Sequence, residues 1–512
     1  MDQDGQNRTQ ETVLEGEDGP LMILAEDVLE EFEVDDEAPP LESEDESEDE
    51  SEGIEEHEGN IKLPSGMRLV AEYANGDMEV LGEEGEAGLP TSVADMAVLS
   101  FRGHKGPIYA VAINPRDSRS MLTGGGDDRA FFWETTAAAP SVNTSTSMPG
   151  LGAVKESEDH GESVNAVGYS HDGSLAATGA YSGKVLVWDA KTRGLLQTLE
   201  GPEDVEWLQW HPKGNLLLAG SKDGTVWMWL AVTGECMRVF SGHEDAVTVG
   251  MFTSDGKLVV SGSMDGSVRV WGPKAGVCRH VFSGYAFHEG PVTALASHPS
   301  DGALLLSGGM DGTARLLHAA GKRVLASMVH SEPTAVGNGG GGASVNGRGK
   351  EGGKSEGGVA PMEEDGTGPG TEEGVAGEEV HEGNYSVETV GFSSVLNWCA
   401  TGGMDGTMKI WDLGNFSCRH VCVHPGLPGV TKLQWHASLP LIYTAATDGV
   451  LRLWDARSGA LLQAMTGHED MILDFAVHSA DGHMDVVLTG SDDGTAKVFW
   501  VDVQRYLQQS CS

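Results

Sequence analysis

Cations are what this 512-residue chain is short of. It carries 32 Lys and Arg against 79 Asp and Glu, a formal net charge of −47. Direct binding to nucleic acid needs enough basic residues to displace condensed counterions, so no direct nucleic-acid partner is expected. The balance points instead to a basic protein partner, or to solubility alone. Cysteine is scarce as well. The six present (Cys236, Cys278, Cys399, Cys418, Cys422 and Cys511) show no disulfide-framework spacing, which fits a reducing compartment. No run of 18 apolar residues occurs and the first residues are acidic and polar, so neither a membrane span nor a signal peptide is expected. The expected location is the cytoplasm, with a nuclear share left open. No paired-carboxylate pocket, phosphate loop or nucleophile elbow can be read, so the chain is expected to be no enzyme and to use no cofactor. The stretch GNGGGGAS (337–344) is glycine-rich, but no Lys-Ser/Thr follows and no helix can start in its composition.

What is present is one unit written eight times, at a spacing of roughly 40–45 residues. Each copy opens near a Gly-His or its remnant, passes an apolar-alternating strand, turns at Asp-Gly and closes on an aromatic, usually Trp-Asp. The fullest copy is residues 242–271, GHEDAVTVGMFTSDGKLVVSGSMDGSVRVW. The closing positions are Trp133, Trp188, Trp229, Trp271, a degenerate Leu317, Trp411, Trp454 and Phe499. Short runs such as KVLVWD and LRLWDA alternate between Gly/Asp turns, as strands do. The expected fold is all-β: an eight-bladed WD-repeat β-propeller over residues 95–504. The eighth copy ends near the C-terminus, so residues 95–101 are expected to supply its outer strand and close the ring.

Two segments fall outside this pattern. Residues 1–60 hold 25 acidic residues and a single Arg, including ESEDESEDESE (42–52). Residues 1–90 are therefore read as a disordered acidic tail. Leu21, Leu24, Val28, Leu29 and Phe32 recur at helical spacing, which suits a short helix over 20–34 formed on a partner, although scattered apolar residues in a plain tail give the same pattern. Ser43, Ser47 and Ser51 precede acidic residues, as acidophilic-kinase sites do. Residues 331–383, rich in Gly and Glu, are read as a disordered insertion between the fifth and sixth copies.

Within a copy, the Gly-His histidine, a Ser/Thr, the turn Asp and the closing Trp can form one hydrogen-bonded chain. His104, Thr123, Asp127 and Trp133 fit it in the first copy, and His243, Ser261, Asp265 and Trp271 in the fourth; both sets are structural. Repetition around a ring, inside separate blades, argues against a catalytic triad. Cys418, His420, Cys422 and His424 look zinc-like, but a stiff strand spreads four such side chains over roughly 20 Å, too far for one tetrahedral ion, so no metal is expected. Function is then expected on the narrow face of the disc, at residues flanking the first valine of each inner strand and just before each turn Asp. The expected partner-binding residues are Tyr109, Tyr181, Asp204, Glu206, Met264, Met310, Glu388, Met404, Met471 and Asp492. A wider set adds Gly126, Ser163, Lys222, Ala246 and Ser386. The connections into these strands bring Glu162, Glu203, Glu244, Asp245, Glu289, Glu382, Glu469 and Asp470. Methionine and tyrosine offer adaptable apolar contact and carboxylates offer charge, a combination that suits a basic segment with a few apolar anchors. A monomer is expected.

EDVEWLQWHP (203–212), DGTVWMW (223–229), DGVLRLWDARSG (448–459), HEDMILDFAV (468–477) and TAKVFW (495–500) resemble the angio-associated migratory cell protein family across residues 95–504. The acidic tail and the insertion after a degenerate fifth repeat are similar in composition. The family's fungal counterpart is a dedicated chaperone that grips the basic N-terminal segment of a large-subunit ribosomal protein. The resemblance implies such a role here, whereas animal relatives imply a signalling or cell-migration scaffold. A further alternative comes from Asp448 and Trp454-Asp455-x-Arg457, whose spacing resembles the box by which substrate receptors dock to cullin-type ubiquitin ligases.

Overall fold

The computed structural model describes residues 95–136, 148–284, 287–331, 385–479 and 484–509, together with a two-residue pairing of Glu15–Gly16 with Gly19–Pro20. The remaining residues of the acidic tail, including the helix expected over 20–34, and the insertion between 331 and 385 lie outside the described residues. Among those described, eight four-stranded antiparallel sheets form the propeller. Blades 1 to 7 span 108–156, 164–199, 205–241, 249–282, 292–329, 387–423 and 430–465, each running from inner to outer strand in chain order. Blade 8 takes its three inner strands from Ile472–Ser479, Met484–Ser491 and Ala496–Asp502, and its fourth from Leu99–Phe101. The inner strand of each blade touches that of the next, and Ile472–Ser479 touches Ile108–Asn114, so the ring is closed.

The second strands explain why such short segments hold. Leu175–Ala180 and Leu216–Ser221 are buried along their whole length, because each is covered by a neighbouring blade on both sides. Outer strands instead alternate in burial, as in Cys418–Val423. Apolar packing divides into eight clusters, one at each seam between adjacent blades. One joins Trp133 and Phe131 of blade 1 to Leu488 and Val498 of blade 8; another joins Trp229 of blade 3 to Val187 of blade 2. Close approach at a seam needs a glycine in the second strand. A Cβ on Gly124 would lie 2.7 Å from Val164, one on Gly262 2.6 Å from Val292, and one on Gly490 2.7 Å from Ile108.

A polar latch completes the closure. Lys497, only 2% exposed, reaches Asp95, on the chain leading into the closing strand, at 2.6 Å and the hydroxyl of Ser100, within that strand, at 3.0 Å. Burial alone would raise the Asp95 pKa, but the hydrogen bonds from Lys497 and the Ala97 amide outweigh it and hold the carboxyl below its ordinary range. Removing the acid strands a buried ammonium, whereas removing the amine leaves a half-exposed carboxylate in reach of water. Asp95→Ala is accordingly expected to destabilise the fold by about 1–3 kcal/mol, and Lys497→Met by clearly less. Urea unfolding of both variants tests this; equal losses would count against the latch.

Candidate partner-binding face

One hydrogen bond, repeated in every blade, builds the narrow face. The amide of the residue before the turn Asp, or before Ser182 in blade 2, donates to a carbonyl just ahead of the inner strand. The pairs are Gly126 to Pro107, Tyr181 to Ser163, Lys222 to Asp204, Met264 to Ala246, Met310 to Pro291, Met404 to Ser386, Thr447 to Gly429 and Asp492 to Met471, at 2.8–3.2 Å. A β-bulge follows the first residue of the inner strand in seven blades, at Tyr109, Asn165, Glu206, Thr293, Glu388, Thr431 and Leu473. Bulges re-aim a side chain out of the ladder. Asn165, Thr293 and Thr431 use this to donate to a carbonyl of the next blade's inner strand, and Thr248 of blade 4 makes the same bond without a bulge. These bonds stitch neighbouring blades together. Tyr109, Glu206 and Glu388 occupy the same position without making that bond.

All ten residues expected to bind a partner therefore lie on this rim, at one of three equivalent positions. Tyr109 (37% exposed), Tyr181 (38%), Met264 (46%) and Met310 (55%) offer the largest free apolar surfaces. Asp492 is exposed, and Met404, Met471, Asp204, Glu206 and Glu388 are half-buried. From the wider set, Ala246 and Ser386 are buried and offer no surface. Tyr109, Tyr181, Asp204 and Glu206 form one group across blades 1 to 3: burial raises the Tyr181 pKa first, then the charge of Glu206, with Tyr109 and Asp204 adding to it. Burial likewise raises the Glu206 pKa, reinforced by Asp204. Asp204 is already bridged by Lys222 at 3.0 Å, and Glu388 accepts from the Ser386 hydroxyl, so neither is a bare charge. Asp492 lines a cleft with Arg102 and Lys105 at the seam of blades 8 and 1.

Glu162, Glu203, Glu244, Asp245, Glu289, Glu469 and Asp470 are exposed around this rim, so acids outnumber the nearby Lys105, Lys222 and Arg102. Glu382 lies outside the described residues. Both ends of the insertion are pinned here, because the Ser331 hydroxyl donates to the Tyr385 carbonyl at 2.6 Å.

Beneath the rim run the polar chains. In blade 4 the Trp271 indole donates to Ser261 at 2.8 Å, His243 lies 2.8 Å from Ser261, and its other nitrogen lies 2.9 Å from Asp265. Blade 6 repeats the set with Trp411, Thr401, His330 and Asp405, its histidine coming from before the insertion. Blade 1 departs from expectation. His104 bonds Thr123 at 2.9 Å and Asp127 at 2.8 Å, but the buried Trp133 nitrogen has no partner. The ring of Trp133 is instead stacked flat on Phe101 of the closing strand, 4.8 Å away with planes 8° apart. Trp133 thus belongs to the closure and not to the polar chain. Blade 3 has neither the histidine nor the hydroxyl, with Ala219 at the Ser/Thr position; losing both partners together leaves neither stranded.

The zinc-like run is committed elsewhere: His420 faces the Arg457 carbonyl at 3.0 Å, the buried Cys422 the Gly459 carbonyl at 3.5 Å, and His424 the Thr444 hydroxyl at 2.8 Å. Arg457 is held by Asp455 at 3.0 Å. One set escaped the sequence reading, because its members come from two blades. His436 Nε2 meets both Ser479 (3.1 Å) and Asp485 (3.3 Å), and Asp485 also accepts from Tyr443 at 2.6 Å. A nucleophile relay needs acid and serine on opposite ring nitrogens. Here Nδ1 accepts the amides of Ser438 and Leu439, so the set is a buried structural knot. Among the described residues no helix is long and apolar enough to cross a membrane.

Comparison with known proteins agrees with this architecture. The model of the WD domain, G-beta repeat, matches eight segments: 96–134, 153–189, 193–229, 234–272, 276–317, 377–412, 416–455 and 459–499. The chain is 34% identical over 407 residues to the angio-associated migratory cell proteins of Canis lupus familiaris and Homo sapiens, covering 80% of this chain and 80% of each of theirs. Two crystal structures share the fold with a TM-score of 0.62 and 20% identity, covering 80% of this chain and 100% of theirs. They are Sqt1 of Saccharomyces cerevisiae and Sqt1 of Chaetomium thermophilum bound to the N-terminus of the ribosomal protein L10.

The polar chains make two expectations. Trp271→Phe and Trp133→Phe remove the same atoms, but only the first breaks a bond, so it should cost about 1 kcal/mol more in urea unfolding. For Asp265, burial opposes ionisation, but bonds from Ser267, the Glu244 amide and His243 prevail and bring its pKa to about 2. A carboxyl depressed in the folded state stabilises above its unfolded pKa, and that share is lost as pH falls towards the folded value. Stability should therefore decline from about pH 4 towards pH 2, and Asp265→Asn should flatten the decline in acid-unfolding curves.

Proposed function

Because the chain belongs to the angio-associated migratory cell protein family of WD-repeat propellers, we propose that it is a protein-binding chaperone whose narrow face holds the basic N-terminal segment of a large-subunit ribosomal protein before assembly. The observation that carries this reading is the rim itself: carboxylates interleaved with exposed tyrosine and methionine, on a backbone fixed by one repeated hydrogen bond. A basic peptide with apolar anchors complements such a surface in both charge and contact. The likeness to a fungal propeller bound to a ribosomal protein's N-terminus supports the choice of client. On this reading the protein works in the cytoplasm, where a newly made basic client needs shielding.

Glu206 and Asp492 are assigned to pair with client Lys or Arg, Tyr109 and Tyr181 to flank Glu206, and Met264, Met310 and Met404 to supply apolar contact. Each exposed ion pair is worth roughly 0.2–1 kcal/mol, so affinity has to come from several together with buried anchors. The double variant Glu206→Lys plus Asp492→Lys replaces two attractions by repulsions and should weaken client binding by about tenfold or more. A pull-down of ribosomal proteins at moderate and high salt reads this directly. Undiminished retention of the same client by the double variant would falsify the assignment.

A further inference from the structure

Charge on this propeller is not spread evenly. No acidic residue lies between Asp265 and Glu289, nor between Asp311 and Glu332, although both stretches carry exposed cations. These stretches form the outer halves of blades 4 and 5. The outer strands there, Val277–Phe282 and Arg323–Val329, are the last of their sheets and leave one edge unpaired. Arg238 of blade 3 crosses to the same region, its guanidinium donating to the Lys274 carbonyl at 2.6 and 3.0 Å. Lys274, Lys322 and Arg323 are exposed. Among the described residues these four cations form no salt bridge with a carboxylate, as Lys191 and Lys213 of blades 2 and 3 also do not, whereas Arg119, Arg129, Arg193, Arg419 and Arg457 do. Lys322 also sits at φ 50°, in a turn position where blades 3, 4 and 7 place Gly234, Gly276 and Gly459 and blades 2 and 6 place Arg193 and Phe416. A side chain is thus kept where glycine is the unstrained choice.

We infer that the outer flank of blades 4 and 5, with Arg238, is a second docking surface, and that it takes an extended acidic segment of a partner polypeptide. Charge complementarity supplies the attraction, and the exposed Val239, Val277 and Val324 between the cations supply apolar contact for alternate side chains of an extended chain. A nucleic acid fits less well. Among the described residues of these stretches no exposed aromatic is available for a base to stack on. Captured there, an acidic partner stays clear of the narrow face, so both surfaces can be filled at once.

The test uses the full chain and two fluorescent probes, a twelve-residue oligoglutamate and a twelve-nucleotide oligouridylate, with binding read as anisotropy at about 50 mM salt, where screening is weak. The expected result is binding of oligoglutamate that weakens about two- to fivefold in Lys322→Gly and at least about tenfold in Lys274→Gln plus Lys322→Gly plus Arg323→Gln. Lys322→Gly relieves the strained turn, so it should keep or raise the melting temperature and separate lost binding from lost fold. Phe416→Gly, the same turn position in blade 6, should leave binding unchanged. Equal binding by the triple variant and the parent overturns the proposal, as does tighter binding of the nucleotide probe. A carbodiimide cross-link from Lys274 or Lys322 to residues 1–60 of the same chain, formed without probe, overturns the partner in favour of an occupant in cis.

Discussion

Everything in this molecule depends on burial at the seams between blades. No blade is covered by its own residues; each of the eight apolar clusters is shared by two neighbours, and the last seam exists only because Leu99–Phe101 pairs with Ala496–Asp502. A four-stranded sheet exposed on one face would leave strands such as Leu216–Ser221 half in water. Closure is therefore a condition of stability for every blade, including those far from the join. That makes the latch of Lys497 on Asp95, and the stack of Phe101 on Trp133, more than local details. Both hold the strand that lets the other seams exist.

The repeat was legible because its markers are local. Asp-Gly turns, alternating apolar runs and closing aromatics lie within about 30 residues of one another, and blade count and closure follow from them. The polar chains were legible in blade 4 for the same reason: His243, Ser261, Asp265 and Trp271 belong to one copy. Blade 1 was misread where a residue from outside the copy intervenes. Phe101 precedes His104 by three positions but reaches Trp133 as part of blade 8, so no spacing within the first copy could reveal the stack. The stitching at the bulges was invisible for a different reason. Asn, Thr, Tyr, Glu and Leu share that position, and only the three-dimensional register shows that some of them bond the next blade while Tyr109 and Glu206 do not. The pairing of Asp204 with Lys222 was hidden likewise, since the two approach only across the blade's first two strands.

Charge divides the surface in a way that total composition conceals. A net charge of −47 suggests an undifferentiated acidic particle, yet the narrow rim concentrates carboxylates while the outer halves of blades 4 and 5 have none over two stretches of about twenty residues each. Fields from opposite patches act independently once they are separated by more than a Debye length, about 8–10 Å in ordinary salt. A rim rich in acids and a flank without them offer partners of opposite sign different surfaces of the same propeller. This is a use to which a rigid, many-sided scaffold is better suited than a single cleft.

The way the rim is built explains how such a surface can be specialised without disturbing the fold. Comparing the eight blades of this one chain, the Ser/Thr inside the polar chain recurs in seven, and where it gives way to Ala219 the histidine is gone too. That position is constrained through its side chain. The residue before the turn Asp (Ser182 in blade 2) is constrained through its amide, which donates to the equivalent carbonyl in every blade. Its side chain is correspondingly unrestricted: Gly126, Tyr181, Lys222, Met264, Met310, Met404, Thr447 and Asp492 occupy equivalent places. The buried hydroxyl cannot vary alone because a histidine nitrogen would lose its partner, at a cost of about 1–3 kcal/mol. The rim residue can vary freely because water replaces whatever contact its side chain gives up. Fold and recognition are thus carried by adjacent residues of the same turn, through separate groups, and a change in one leaves the other standing.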